Sequence, residues 1–392
     1  MPIIIRIACA LVLLYTTSTS AALLDHVQQV SAGLTHTCAL RDDGTVACWG
    51  DNGWGELGDG STSAHASPVV VADATTHKAM NGFTQVVAGS AMTCGLHGVD
   101  VYCWGYAFPG VSQPFPQQIA VGAPVKAIAL KADSVCVLLA TAQRSVRCWG
   151  DNASGQLGDG TKTSRAAPAN VVISERDGSH SLLAGVTHIA IGSDHACAVL
   201  DDTSLACWGM NWTGELGDNT FTDSLSPVPV TIDERGKPEL TDIDTITVNG
   251  LHSCARFAST WQLACWGNNV QGQLGDPAVS VETWSPVGVA LGVAAVDEGE
   301  ESTCAMLADG RLACWGGNSY GQLANGSTGS DRVPNVVVSI PKITSLSVGS
   351  YHACAVLPDT TVRCWGRGDS GQLGGGSSTP MSVNPVPVVA AQ

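Results

Sequence analysis

Apolar and polar residues follow one another in short alternating stretches along this chain, and nowhere with the period of a helix. "VQQVSAG" from Val27, "HTCALR" from His36 and "TVACWG" from Thr45 each read as a short strand. Turn-forming residues separate them, with Asp42-Asp43-Gly44 between the second and third and a glycine-rich run after "CWG". A further β-rich stretch, "PVVV" from Pro68, follows. The same order returns at His195 ("HACAVLDDTSLACWG") and at His352 ("HACAVLPDTTVRCWG"). A pattern that recurs in this way is a repeat unit, and the repeat decides the fold before any single residue does.

The glycine after the repeating tryptophan falls at 50, 105, 150, 209, 267, 316 and 366, at intervals of 45 to 59 residues. Seven units of this length, each made of short strands, predict an all-β chain folded as a seven-bladed β-propeller. The first unit starts directly at the Val27–Gly33 stretch and has no "P-V-x-V" segment before it, whereas the last unit ends on one, Pro385 to Val389. These complementary ends predict closure by pairing of N- and C-terminal strands within one blade, which would remove two exposed edges.

Cysteine usage adds a second regularity. Of 15 cysteines, Cys9 lies in the N-terminal segment, and the rest form local pairs: Cys38 with Cys48, Cys94 with Cys103, Cys136 with Cys148, Cys197 with Cys207, Cys254 with Cys265, Cys304 with Cys314, and Cys354 with Cys364. Each pair lies about equally far from a turn between two strands, so its members should face each other across a hairpin and form a disulfide. Structural zinc sites bring ligands in closer spacing, such as C-x2-C, so zinc is disfavoured.

An even set of bridges suits an oxidising compartment. The start of the chain agrees: Arg6, an apolar run from Ile7 to Tyr15, then small residues, the pattern of a secretory leader cleaved after Ser20 or Ala22. The expected organisation is a leader at 1–22 and one propeller at 23–392. The destination is secreted, periplasmic or cell-surface, with no membrane insertion. The net charge of −16, or −17 once Arg6 leaves with the leader, argues against nucleic acid as a partner.

The composite "AGxxHxCAL…DGxVxCWGxNxxGQLGDG" closely resembles the regulator of chromosome condensation repeat, from about Val27 to Val389. The resemblance implies a seven-bladed propeller, and the founder's nucleotide exchange on a small GTPase is the activity it would suggest. The departures matter. The second unit lacks the glycine loop and reads "WGYAFPGVSQPFP" from Trp104. The third has Ser134 in the histidine place, and Lys131 and Asn249 stand where other units have glycine. The paired cysteines mark an exported branch of the family.

The residues that draw attention recur for architectural reasons. Trp49, Trp104, Trp149, Trp208, Trp266, Trp315 and Trp365 share one position and should pack between blades. His36, His195, His252 and His352 share another and should each bond a backbone group rather than a metal. Asp59, Asp159, Asp218 and Asp276 follow the "GQLG" or "GELG" turn, and one carboxylate there falls short of the ligand number calcium requires. Sequons occur at Asn152, Asn211 and Asn325.

No nucleophile elbow, phosphate loop or metal motif is present, so neither an enzyme nor a cofactor is expected. The function expected is a monomeric, non-enzymatic scaffold that binds a protein or glycan. Nucleotide exchange, an envelope enzyme and enzyme inhibition by one propeller face are the alternatives. The candidate binding loops are the non-repeating segments Ser61 to Gln85, Ser174 to Thr187 and Asp233 to Asp242. Their charged turns are Glu175, Arg176 and Asp177, and Asp233, Glu234 and Arg235.

Overall fold

Seven antiparallel four-stranded sheets, each built from consecutive strands, make up the molecule in its computed structural model. It describes residues 22–107, 109–174, 178–232, 239–289, 291–337 and 339–390. Blade 1 is typical: Val27–Ala32, His36–Arg41, Val46–Gly50 and His65–Val70, from the inner strand outward. An additional two-stranded sheet, Val172–Ser174 with His180–Leu182, decorates the connection between blades 3 and 4. Because the strands run in sequence, the turns between strands 1 and 2 and the loops between strands 3 and 4 share one face of the ring. The 2–3 hairpins and the connections to the next blade share the other.

The cysteine pairs sit in register across strands 2 and 3. Cys38 lies opposite Cys48 and Cys354 opposite Cys364, and the same holds in all seven blades. Seven local disulfides result, with Cα atoms 4.0–4.1 Å apart. That close approach is typical of directly opposed residues at a non-hydrogen-bonded position.

The core is divided by junction. Each apolar cluster combines the disulfide of one blade with the tryptophan of the next: Cys38 and Cys48 with Trp104, Cys136 and Cys148 with Trp208, and so on round to Cys354 and Cys364 with Trp49. No blade could cover its own faces, so burial is achieved only by neighbours, as expected of repeat architectures.

The predicted mixed blade is not observed. The C-terminal strand Met381–Pro387 pairs with Val362–Arg367 of its own repeat, and Val27–Ala32 pairs with His36–Arg41. The repeat boundary in the sequence already coincides with the blade boundary, so no strand is left to share. The chain ends meet in a smaller contact. Leu23 bridges Val389, the Leu24 N–H donates to the Val388 carbonyl at 3.0 Å, and Ala390 N–H donates to Ala22 at 2.8 Å. Leu183 on Val171 and Leu240 on Val230 make the same bond in continuous connections, at 3.0 and 2.9 Å. Residues 22–24 and 388–390 thus reproduce, without a direct peptide connection between them, the contact that joins other blades.

Candidate functional site

The recurring polar residues assemble into a lock between neighbouring blades. The indole N–H of Trp49 donates to the Gln372 carbonyl at 2.8 Å, and those of Trp208, Trp266, Trp315 and Trp365 donate to Gln156, Glu215, Gln273 and Gln322 at 2.8–2.9 Å. Each acceptor is the Gln or Glu of the preceding blade's G-[QE]-L turn. The histidines join the same lock. His36, His195, His252 and His352 place Nε2 2.8–2.9 Å from the hydroxyls of Thr93, Ser253, Thr303 and Thr37 in the next blade. Those hydroxyls donate in turn to the carbonyls of Glu56, Glu215, Gln273 and Gln372 at 2.8–3.0 Å. A carbonyl only accepts, so the hydroxyl's single proton goes to it and the hydroxyl accepts from Nε2–H. Each histidine is therefore a neutral donor. Burial lowers the pKa to about 4 for His36 and about 3 for the other three. The expected backbone partner is replaced by a side-chain hydroxyl, and the four rings stand at four separate junctions.

The chain itself shows this rule. Where the histidine place holds Met92, Ser134 or Ser302, the position facing it in the next blade is Val135, Ala196 or Ala353. Four histidines face four hydroxyls, and three other residues face three apolar ones. The signal was present in the sequence, but it connects position n of one unit with position n+1 of the next and is invisible within a unit.

Loop asparagines organise the 3–4 loops. Asn152 is buried; its Oδ1 accepts the Leu157 N–H at 2.9 Å, and its Nδ2 donates to Thr161 and Thr163 carbonyls at 3.0 and 3.1 Å. Asn52, Asn211 and Asn318 do the same. Asp59, Asp159 and Asp218 cap the turn that follows by accepting the N–H two residues on, at 2.9–3.0 Å. Asp276 makes the same bond to Ala278 at 2.8 Å.

Blade 2 interrupts the lock. Its third and fourth strands, Asp100–Ala107 and Val111–Ile119, are joined by a short turn in place of the loop, so no G-[QE]-L carbonyl faces blade 3. Trp149 has no acceptor among the described residues; nor does Trp104, although blade 1 carries the loop. Asp133 loses a partner too. Its counterpart one blade later, Asp194, accepts from the loop hydroxyl of Ser154 at 2.9 Å, whereas Asp133 Oδ1 is buried with none. A cavity of about 60 Å³ opens there, lined by Met92, Trp104, Tyr106, Ile119, Asp133 and Trp149 among others.

The charged turns Glu175, Arg176, Asp177, Asp233, Glu234 and Arg235 lie outside the described residues. The segments that carry them are blade-to-blade connections. The face with the 3–4 loops carries features the sequence reading did not single out. Trp54, Trp212 and Tyr320 occupy the variable places of the N-x-x-G loops, with Trp212 71% exposed. Edge-to-face or tilted pairs form between Trp54 and Tyr106, Phe221 and Trp284, and Tyr320 and Tyr351, with centroids 4.9–5.3 Å apart. These residues were hidden because they alternate with the structural Asn, Gly and Leu of a loop that reads as architecture.

Two models of the Regulator of chromosome condensation (RCC1) repeat match the sequence. One matches residues 27–55, 293–322 and 343–372, and the other residues 43–96, 145–199 and 309–356. Merged, the matches cover 27–96, 145–199 and 293–372, just over half of the 392 residues. The chain belongs to the RCC1 repeat family. Among curated relatives, the ultraviolet-B receptor UVR8 of Arabidopsis thaliana is 30% identical over 213 residues, 52% of this chain and 46% of its own length. The mitochondrial RCC1 domain-containing protein RUG3 of the same plant is 30% identical over 276 residues, 67% of this chain and 58% of its own. Each match spans less than two thirds of the relative's length.

Solved structures share the fold at low identity. Human WBSCR16 superposes with a TM-score of 0.71 at 19% identity, covering 84% of this chain and 86% of that one. Prp20p of Saccharomyces cerevisiae gives 0.66 at 20%, covering 82% and 80%. The ectodomain of the Arabidopsis thaliana receptor kinase ACR4 gives 0.54 at 18%, covering 93% and all of that chain.

Against the RCC1 repeat, the two departures from glycine near the axis converge. The glycine place is tight: a Cβ on Gly33 would lie 2.2 Å from the Gly89 carbonyl oxygen of the next blade. Lys131 instead extends across the central channel and donates to the Val348 carbonyl at 3.0 Å and reaches that of Glu298 at 3.5 Å. Asn249 Nδ2 donates to the same Glu298 carbonyl at 2.7 Å. The channel, about 300 Å³, is lined by inner strands of all seven blades. Burial raises the Glu298 carboxyl well above the usual range. It is fully buried 3.9 Å from His252 Nε2, and a neutral acid beside a neutral imidazole fits that site.

Proposed function

We propose that this chain is an exported, non-enzymatic scaffold that presents its 3–4 loop face to a protein partner. The observation that carries the reading is the set of aromatics on that face: Trp54, Trp212, Phe221, Trp284 and Tyr320 are exposed, with half-buried Tyr106 and Tyr351 paired to two of them. Large rigid side chains of this kind are the usual anchors of protein interfaces. A disulfide in every blade holds the surface that presents them. The titratable groups that are strongly shifted, the four histidines and Glu298, are buried within the ring, and the two of them nearest to each other face no open cleft.

The family gives precedent for protein binding. Prp20p is described by its binding to Gsp1p and histones, and yeast RCC1 (Prp20) has been crystallised bound to Kap60. The ACR4 propeller is an ectodomain. Export rests on the leader pattern of residues 1–22 and on seven disulfides, which persist in oxidising compartments.

The test uses the full-length chain with a C-terminal tag. It should be recovered outside the cytoplasm, beginning after residue 20 or 22, and cross-link to a protein. A Trp54→Ser, Trp212→Ser, Tyr320→Ser variant should fold and lose that cross-link. Cytosolic recovery with free thiols would overturn export. A partner retained by the triple variant, or a glycan captured in its place, would overturn the surface assigned.

A further inference from the structure

The junction between blades 2 and 3 differs from the other six in one respect that has chemical consequences. Everywhere else a G-[QE]-L loop fills the space above the next blade's tryptophan. Here the loop is absent, and what it would have supplied is missing on both sides. Among the described residues Trp149 has no carbonyl to bond, as Trp104 has none, and Asp133 Oδ1 has no hydroxyl to accept from. At the neighbouring junction Ser154 serves Asp194 at 2.9 Å. Met92, Ile119 and Tyr106 line the space, and a cavity of about 60 Å³ opens on the aromatic-bearing face. A cavity that size exceeds the roughly 10–15 Å³ a single water needs. It has room for a compact polar head and the methylene that carries it.

The lining decides which head. A buried carboxylate oxygen with no donor is costly unless something brings one. Asp133 Oδ1 is such an oxygen. Its carboxyl is pushed upward first by burial and then by the charge of Asp151, so a second negative field already lies on the cavity. Asp151 is itself satisfied, by Ser164 at 3.0 Å and Gln156 at 3.2 Å, and leaves Asp133 as the group in need. The remaining walls include Trp104, Tyr106 and Trp149. Indole and phenol faces attract cations and suit methylenes equally well. The surrounding protein is acidic, at −16.

We infer that the cleft between blades 2 and 3 is a socket for the ammonium end of a lysine side chain from a polypeptide partner, held by Asp133 and flanked by Trp104, Tyr106 and Trp149. A neutral donor would satisfy the oxygen but leave two carboxylates uncompensated. A guanidinium is broader and planar, and suits this small recess less than a compact ammonium does. The inference rests on the reading of this face as a partner-binding surface and names one contact on it.

The mature, disulfide-bonded chain is titrated with Nα-acetyl-lysine N-methylamide, and the indole N–H resonances of Trp104 and Trp149 are followed by NMR. The ε-acetylated form of the same probe is the neutral control, and n-butylammonium is the amine without a peptide backbone. The lysine probe should shift both resonances at millimolar concentration, and the acetylated form should not. Asp133→Asn should weaken the lysine probe about tenfold or more, whereas Asp194→Asn should leave it unchanged. Asn keeps the size of Asp, and dispersed indole resonances report that the variant folds. Equal shifts from the acetylated probe would show a merely apolar pocket and overturn the inference. So would no shift at saturation, or unchanged affinity in Asp133→Asn. Tighter binding of butylammonium than of the lysine probe would overturn the polypeptide source. Lysine binding with no partner captured by the aromatic face sinks the scaffold and leaves the socket. Capture without lysine binding does the reverse.

Discussion

Thr37 shows how little of a residue's role is local. It sits beside His36 in sequence, yet it accepts from His352 and donates to Gln372, both in the last blade. The equivalence of the four histidines was legible, and so was their structural role. Their partners were not, because hydroxyl and imidazole are always one unit apart. This arrangement sets a pH dependence. The folded histidines protonate only near pH 3 to 4, the unfolded ones near 6.5. Between those values the unfolded chain binds more protons, so stability is full above pH 6.5 and falls as the solution is acidified. Glu298 works the other way, since its raised pKa favours the fold at low pH and it loses that advantage as pH rises. Glu56, Glu215 and Glu300, raised by burial, add to that opposing slope. The histidine contribution is the one lost on acidification below pH 6.5. Urea unfolding at several pH values should show this loss, and His352→Gln should flatten the slope by about 1.4 kcal/mol per pH unit. The sequons resolve at the same scale. Asn152 and Asn211 are fully buried by their loops, whereas Asn325 is exposed. Expression in a glycosylating host should modify Asn325 alone, as glycopeptide mapping would reveal, and a glycan at Asn152 would contradict the loop.

At the level of elements, the hairpins were the most readable part of the chain. A cysteine equally far from a turn on each side leaves little freedom of register, and Cys304 faces Cys314 as the spacing required. Replacing that pair by alanine should lower the unfolding free energy by about 2–4 kcal/mol under non-reducing conditions. Blade 6 should remain formed, because its neighbours still cover it, and near-ultraviolet circular dichroism of Trp315 and Trp365 can check this. The short turn in blade 2 was equally visible as a missing loop. Its consequence was not, since an absent loop acts on the following blade, through Asp133 and Trp149. The exposed aromatics escaped for a related reason. Trp212 lies between Asn211, which the loop buries, and the Gly214 turn, and it looks like part of the same motif.

For the whole molecule, the number of blades followed from counting, while the manner of closure did not. Complementary ends suggested a shared blade, but strand order is set by the repeat boundary, and that boundary leaves each blade complete. What holds the ends together is the Leu24–Val388 contact and the lock from His352 and Gln372 to Thr37 and Trp49. Val388 is fully buried in the cluster that contains Leu24 and Trp49. Ending the chain at Pro387 should therefore cost about 2–4 kcal/mol, read as a lower midpoint in urea, whereas removing 391–392 alone should change nothing measurable. An intact midpoint after the longer truncation would mean that the remaining contacts between blades 7 and 1, the lock and the Ala32–Ser347 and Val27–Thr360 bonds among them, suffice to secure the ring.

The break in the polypeptide thus falls where non-covalent fastening is complete, and the unlocked junction, between blades 2 and 3, is spanned by continuous chain. That placement makes the positions of the ends exchangeable at some junctions and not at others. A circular permutant joining residues 390 and 22 and opened between blades 4 and 5, where His195, Ser253, Trp266 and Glu215 interlock, should fold as a ring. One opened in the Val121–Pro124 connection would place its new ends at the seam that lacks the tryptophan and histidine lock and keeps only the paired Gln85–Ile128 bonds, the Ser90–Ala132 bond and apolar packing, and it should close less firmly than the first permutant, read as a lower midpoint in urea.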